Sequence, residues 1–317
     1  LVGGATGLIG DPSGKSQERN LLSAEQVAHN VEQLKAQLGT LLDTAGPQGV
    51  KVVNNLDWIG ATTVIELLRD VGKHFSVNTM IARDSVKQRI GRDGVGLSFT
   101  EFTYSVLQGM DFHHLFETEQ CTIQLGGSDQ WGNVVSGVDY TRRKTSSQVF
   151  GVTVPLLLKS DGTKFGKSES GAIWLDRDKT SAYSFYQFWL KTSDADVYRL
   201  LRQFTLLSLE QIEQIELEDA QSQTKPKAQG ALAAHMTELV HGKKGLEQAL
   251  RITQVLYSGS LSELSVEELE QLCLGGLPYF QLSLGRSSAD LVSVLVSTEL
   301  ATSNKQAREF ISATAVR

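Results

Sequence analysis

Apolar residues recur at helical spacing over Ala24–Leu42, Ala61–Val71, Arg83–Ile90 and Phe99–Leu115. Shorter apolar runs at Leu1–Val2, Val52–Val53 and Thr122–Leu125 read as buried strands set between those helices. Strands alternating with helices predict an α/β sheet with crossover connections. From about Ser181 the texture changes. Ala182–Leu190, Ala195–Phe204, Leu209–Glu218, Lys227–Val240 and Gly245–Tyr257 all carry helical periodicity, with almost nothing strand-like between them. That break predicts a separate helical domain. The stretch Gln221–Lys227 is the most linker-like and is expected only to join two helices. A last helical pair, Ala289–Ser297 and Asn304–Ala313, follows the turn-rich Gly275–Ser288.

Length and composition narrow the class. A chain of 317 residues can hold two or three domains with substantial cores. No apolar run approaches the roughly 20 residues that a membrane span needs, so a soluble protein without a membrane partner is expected. The chain opens on Leu1 and not Met, directly in a strand-like run without a secretory signal, so further sequence is expected upstream. A net charge of −6 argues against a protein whose whole surface binds polyanions, yet it leaves room for a local basic face. Cys121 and Cys273 stand far apart with no CxxC partner. They are expected to be reduced core thiols of a cytoplasmic protein, and no zinc or other protein-held metal site is predicted.

Two phosphate-binding patterns are approached and missed. Gly4-Ala5-Thr6-Gly7-Leu8-Ile9-Gly10 fits the GxxGxxG spacing of nicotinamide-binding dehydrogenases, and Tyr140 with Lys144 mimics their catalytic pair. That chemistry needs a helix starting at once beneath the pyrophosphate. Here a glycine turn is expected to run into the polar, turn-forming Asp11-Pro12-Ser13-Gly14-Lys15-Ser16. Gly10–Ser16 also falls one residue short of the P-loop spacing. It reads either as a solvated turn or as a loop bringing Lys15 and Arg19 to a polyphosphate.

The most informative helix is Ser98–Phe112. Tyr104, Gln108 and Asp111 stand at i, i+4 and i+7 and so share one face, while Phe102, Val106 and Leu107 supply much of the apolar remainder. A phenol, an amide and a carboxylate together can hold a small zwitterion; the alternative is a solvated polar stripe. Downstream, Gln124–Asn133 reads as a strand, a double-glycine turn and a helix start. Ligands of open α/β sheets bind beyond the carboxyl ends of strands. Gly126 and Gly127 would admit a ligand to the backbone, Ser128 would cap the helix, and Asp129 and Gln130 would face the crevice.

Lys159–Ser168 places three lysines in a glycine- and serine-containing turn. Lys164 and Lys167, with Gly166 between them, form a cationic clamp suited to phosphoryl or nucleotidyl transfer. Lys164-Phe165-Gly166-Lys167-Ser168 resembles the KMSKS motif of class I aminoacyl-tRNA synthetases, in the form typical of the bacterial tyrosyl enzymes. Leu1–Asp11, Asp70–Asn78, Ser98–Asp111, Gln124–Asn133 and Gly162–Ser168 are similar to that family in the family's order. Tyr183–Trp189 and Leu239–Gly242 extend the similarity through the helical part, so it covers essentially the whole chain.

This resemblance implies a Rossmann-like catalytic domain over 1–178 with an inserted dimerisation segment and the lysine loop. It further implies an α-helical tRNA-binding domain over 179–275 and, over 276–317, a linker and an incomplete S4-like RNA-binding module with Lys305 and Arg308 on a basic helix. The substrates would be L-tyrosine, ATP with Mg²⁺, and tRNA(Tyr). Asp111 would meet the phenolic hydroxyl; Tyr104, Gln108 and Asp11 would surround the ammonium; Gln130 would lie near the carboxylate; Thr6 would line the same pocket. Gly127 and Asp129 would meet the ATP ribose. Lys164, Lys167 and Ser168 would hold the pyrophosphate, assisted by Lys15 and Arg19. Family members are homodimers, which points to Asp57–Phe99 and to apolar Phe75, Met80 and Phe99 as contacts. The family's HIGH motif would precede Leu1, so the polypeptide as it stands is expected not to be competent for catalysis. None of the six histidines has a HIGH context, and all are expected to be structural or superficial. Two alternatives remain: the sister tryptophanyl synthetases, and an RNA-binding protein derived from a synthetase.

Overall fold

Helices in this chain begin where a hydroxyl can turn back onto the third amide. Ser23 with Gln26, Thr63 with Glu66, Ser98 with Glu101, Ser208 with Gln211 and Ser265 with Glu268 each form a reciprocal capping box. The structure, a computed structural model, describes the chain apart from residues 11–21, 84–85, 88–89, 91–96, 161, 163–164, 166, 169–170, 223–225, 277–278, 281–289 and 317. Of residues 167, 168, 171 and 258 it describes the backbone alone. The described residues divide into two compact units, Leu1–Leu175 with Ser193–Gln203, and Asp176–Thr192 with Phe204–Arg317.

The first unit is α/β. Strands β1 (Ile123–Gly127) and β2 (Phe150–Val154) pair in parallel, in a register running from Ile123 opposite Phe150 to Gly127 opposite Val154. The helix Trp131–Thr145 makes the crossover that parallel strands require. A further parallel bridge joins Val2 to Asn54. The strands are less enclosed than the sequence suggests. Leu125 is 68% exposed, and Ile123, Phe150, Val152 and Val154 are exposed with it. Val134 and Val138 of the crossover helix approach Gly151 of β2, so that helix covers one face of the pair.

Two helices dominate this unit. Phe99–Glu119 starts at the Ser98 capping box and ends at Gln120 in the left-handed conformation. Its residues Val106, Leu107 and Met110 form a core cluster with Val71, Met80 and Tyr140, and Phe75 and Phe102 pack against it. Met80, expected at a subunit contact, therefore lies in the interior of the unit, while Phe75 is only partly buried. Phe99, by contrast, is 78% exposed. The predicted helix Ala61–Val71 is a short α turn, Val64–Glu66, that widens into a π turn over Leu67–Val71.

The glycine-rich opening differs from expectation. It is not a turn but a short helix, Gly4–Ile9, with Gly4, Ala5 and Thr6 buried. Its first amides are satisfied from afar: Gly4 N–H donates to Asn54 Oδ1 at 3.0 Å, and Ala5 N–H to Asn55 Oδ1 at 2.8 Å. A local reading of the sequence has no access to caps fifty residues away.

The second unit is helical, and its elements follow the predicted ones closely. Ala182–Leu190, Leu209–Gln221 and Leu291–Ser297 coincide with or slightly shift the expected spans. The two helices expected over 227–257 are both present within Ala228–Ser258, separated by a kink at Gly242 (φ 74°, ψ 174°). Only glycine takes such a conformation without strain, so the kink is encoded locally. Ile252 and Val255 of this run pack with Leu264 and Leu272, and Tyr183 rests against them. His241 beside the kink is buried, and burial followed by the Arg177 charge lowers its pKa to about 4. Leu295, Ala301 and Ala307 form a small separate cluster at the chain's end.

One buried acid ties loop to helix in the first unit. Asp196, 5% exposed, accepts hydrogen bonds from the Ser160 amide (3.0 Å), the Ser160 hydroxyl (3.1 Å), the Ser193 hydroxyl (2.9 Å) and Arg199 Nη2 (2.6 Å). Burial by itself would raise its pKa, but these donors outweigh burial and hold it at about 2. Removing a hydrogen-bonded buried partner strands the others. Asp196→Ala is therefore expected to lower the unfolding free energy at neutral pH by about 2–4 kcal/mol. Urea denaturation of the two proteins checks it; equal midpoints and slopes would contradict the network's importance.

Candidate active site

The carboxylate of Asp111 is a buried, hydrogen-bonded acid of the first unit. It is 2% exposed, sits in the middle of the helix Phe99–Glu119, and has two donors at its oxygens. Asn55 Nδ2 donates to Oδ2 at 3.0 Å, and Trp58 Nε1 donates to Oδ1 at 2.9 Å. Asn55 is itself wholly buried, and its Nδ2 also reaches Thr6 Oγ1 at 3.1 Å. Burial raises the Asp111 pKa to about 6, against the opposing pull of the Asn55 and Trp58 hydrogen bonds. An acid perturbed by desolvation beside a cleft is a candidate functional group.

The cleft is there. A cavity of about 450 Å³ is lined by Thr6 of the short helix and by Tyr104, Gln108 and Asp111 of the long one. Gln124 and Leu125 of β1 complete it, with Cys121 at its rim. The i, i+4, i+7 face expected from the sequence thus lines a cavity instead of facing solvent, and Tyr104 and Asp111 are themselves buried. Cys121 is half-buried and free at this cleft, not a core thiol.

Gly127 is the last residue of β1, Asp129 and Gln130 follow it in a 3₁₀ turn, Ser128–Gln130, and none of the three lines that cavity. Gly127 has a local reason to be glycine: a Cβ there would lie 2.6 Å from Asp129 Oδ1, which folds back over it. Contrary to expectation, Ser128 does not cap the following helix; that helix starts at Trp131, behind Gln130, without a side-chain cap. Asn133 Nδ2 donates to Gln130 Oε1 at 3.1 Å and holds the glutamine against the helix.

Lys167 and Ser168 form a two-residue strand paired antiparallel with Gly171–Ala172. Asp11, Lys15, Arg19 and Lys164 lie outside the described residues.

The family model for "tRNA synthetases class I (W and Y)" matches residues 1–258. The chain belongs to this synthetase family. It is 57% identical over 312 residues to the tyrosine–tRNA ligase of Aliivibrio fischeri strain MJ11, spanning 98% of this chain and 73% of that protein. It is 54% identical over 316 residues to the tyrosine–tRNA ligase of Neisseria meningitidis serogroup A, spanning 100% of this chain and 73% of that one. Among solved structures, a C-terminally truncated mitochondrial tyrosyl-tRNA synthetase of Aspergillus nidulans is 34% identical. That match covers 80% of this chain and 75% of that chain, with a TM-score of 0.67. The fold expected from the sequence, a Rossmann-like class I synthetase domain followed by helices, is that of this family.

Two residues of the candidate site were not read from the sequence: Asn55 and Trp58. Their signal was a polar pair, Asn54-Asn55, directly after the apolar Val52–Val53. That is the carboxyl end of the run expected to be a strand, which the structure keeps as the Val2–Asn54 bridge, and open α/β sheets bind ligands at such ends.

The raised pKa of Asp111 has a consequence for stability. Between an unfolded value near 4 and a folded value of about 6, the folded state binds more protons. Stability therefore falls as pH rises through that window and is level above it. Asn at this position does not titrate. From pH 4 to pH 7 the wild type is expected to lose about 2 kcal/mol relative to Asp111→Asn. Urea titrations at the two pH values measure the difference, and a constant offset would show that the carboxyl titrates normally.

Proposed function

We infer that this chain is a tyrosine–tRNA ligase, which activates L-tyrosine with ATP and transfers the tyrosyl group to tRNA(Tyr). The observation that carries the inference is the buried carboxylate of Asp111, fixed by two N–H donors beside a cleft that Tyr104 and Gln108 also line. The identity of 54–57% to tyrosine–tRNA ligases supports the same assignment and speaks against the tryptophanyl alternative.

The residue roles follow from charge and reach. An ionised Asp111 can accept the hydrogen bond of the phenol, and Tyr104, Gln108 and Asp11 supply oxygen acceptors for the ammonium group. Thr6 lines the same pocket, and Gln130 serves the substrate carboxylate. That carboxylate is already a nucleophile at neutral pH, so attack on the α-phosphorus needs no general base. The protein must align the reactants and neutralise the departing pyrophosphate. We assign that work to Lys164, Lys167 and Ser168 with Lys15 and Arg19, and the ribose to Gly127 and Asp129. Mg²⁺ enters with ATP as part of the substrate.

The wider assignments have the same standing. Residues 1–178 would form the catalytic domain, 179–275 the anticodon-side helical domain, and 276–317 a linker and part of an S4-like module. A homodimer would use the exposed apolar residues Val64, Ile65, Leu68 and Phe99, which stand on the segment suggested for it. Among the described residues no helix is long and apolar enough to cross a membrane. A cytoplasmic location is proposed.

A hydrogen bond to a charged acceptor contributes about 1.5–3 kcal/mol, or roughly 10- to 150-fold in affinity. Asp111→Ala in the intact enzyme is expected to weaken tyrosine activation by at least about tenfold. Pyrophosphate exchange measures it, and an unchanged rate would remove Asp111 from the site. For Lys167→Ala slow adenylate formation with near-normal tyrosine binding is expected. Stopped-flow measurement of the adenylation step decides, and an intact rate would rule out the clamp.

A further inference from the structure

Trp58 meets one helix at two points. Its Nε1–H donates to Asp111 Oδ1 at 2.9 Å, and its ring lies nearly flat on the imidazole of His114, with centroids 4.3 Å apart and planes 17° apart. Asp111 and His114 are separated by one helical turn of Phe99–Glu119, so their side chains emerge side by side. One holds the edge of the indole and the other its plane.

Such a pair of contacts has a mechanical meaning. A hydrogen bond weakens steeply as its donor angle closes, and the χ2 torsion of tryptophan has a broad energy well. Without a flat neighbour the indole can turn about that torsion and carry its N–H off the carboxylate. The space to turn into exists: Trp58 and His114 both border a second cavity of about 360 Å³, bounded elsewhere by Glu66, Glu117 and Lys144.

We propose that His114 is a positioning residue for tyrosine selectivity, its stack on Trp58 keeping the indole N–H on Asp111 and so fixing the carboxylate that receives the phenol. The inference rests on the reading of Asp111 as the phenol acceptor. His114 itself is not among the residues lining the substrate cleft and takes no part in the chemistry. Its contribution is the orientation of one donor. The sequence marks it only as a histidine of structural or superficial kind.

The stack can be separated from bulk packing. In the intact enzyme, His114→Ala and His114→Leu remove the flat ring, whereas His114→Phe keeps one. Tyrosine and phenylalanine activation are measured for each by pyrophosphate exchange, with Asp111→Asn alongside. The Ala and Leu variants are expected to raise the tyrosine KM about three- to tenfold, the range one stacked pair can supply. Their kcat should stay within about twofold of wild type on this positioning account. Phenylalanine has no hydroxyl to lose, so its activation should not change, and the tyrosine preference falls by the same factor. His114→Phe should restore wild-type values. Equal losses for both amino acids, a Leu variant as good as the Phe variant, or no change in any variant would each overturn the proposal. If Asp111→Asn abolishes tyrosine preference while the His114 variants keep it, the stack alone is refuted. If Asp111→Asn keeps full preference, the phenol-acceptor reading falls, and this inference with it.

Discussion

A carboxylate sealed from water constrains most of what surrounds the cleft. Burial disfavours its charge, and only donors built into the protein can offset that cost. Asn55 and Trp58 supply them, from the segment that follows the Val2–Asn54 bridge. Asn55 does more than donate: its carbonyl takes the Ala5 amide at the start of the short helix, and its amide also reaches Thr6. The segment after the Val2–Asn54 bridge, the glycine-rich helix and the long helix therefore share one polar network. Such a network is worth most when every member is satisfied, because a stranded group in low dielectric costs more than a formed bond returns.

This dependence explains what could and could not be seen in the sequence. Helix starts were legible because a serine cap is local, written within four residues, and the observed starts at Ala24, Phe99, Ala182 and Leu209 agree with expectation. The polar face of Tyr104, Gln108 and Asp111 was legible because helical geometry alone puts them together. The donors to Asp111 were not, since Asn55 and Trp58 are more than fifty residues away and only the fold brings them near. The same reason hid the helix Gly4–Ile9, whose caps come from Asn54 and Asn55. Burial of the strands was overstated, because an apolar run reports what a segment can bury and not what covers it. Met80 was misplaced for a related reason: apolar character does not distinguish an internal core from a subunit contact.

The two sides of the proposed reaction make different demands. Selecting tyrosine is a matter of one hydrogen bond at a fixed point, and the groups around Asp111 are accordingly buried and held on helices. Handling a triphosphate requires several cations around a charge that shifts as pyrophosphate leaves. Two of the proposed cations, Lys164 and Lys167, belong to Lys159–Ser168, whose described parts are turn and short strand. At Gly162 the backbone has φ 81°, and an added Cβ would meet nothing within 4 Å.

Such a segment still needs a root. Ser160 gives both its amide and its hydroxyl to Asp196, and Arg199 reaches back from the same carboxylate to the Leu158 carbonyl at 2.8 Å. The start of the lysine segment is thus pinned on both sides of Lys159 to the helix Asp194–Phe204. Asp196 is held ionised at about 2, well below any physiological pH, so this attachment does not loosen with ordinary changes in acidity. Asp111, at about 6, is poised much closer to neutrality. Burial favours the neutral form of both acids, and the number of donors decides between them: four hydrogen bonds, one from a guanidinium, against two from neutral groups. An anchor benefits from that surplus. A recognition group must keep acceptor capacity for its ligand, and the two protein donors on Asp111 leave lone pairs for a third bond.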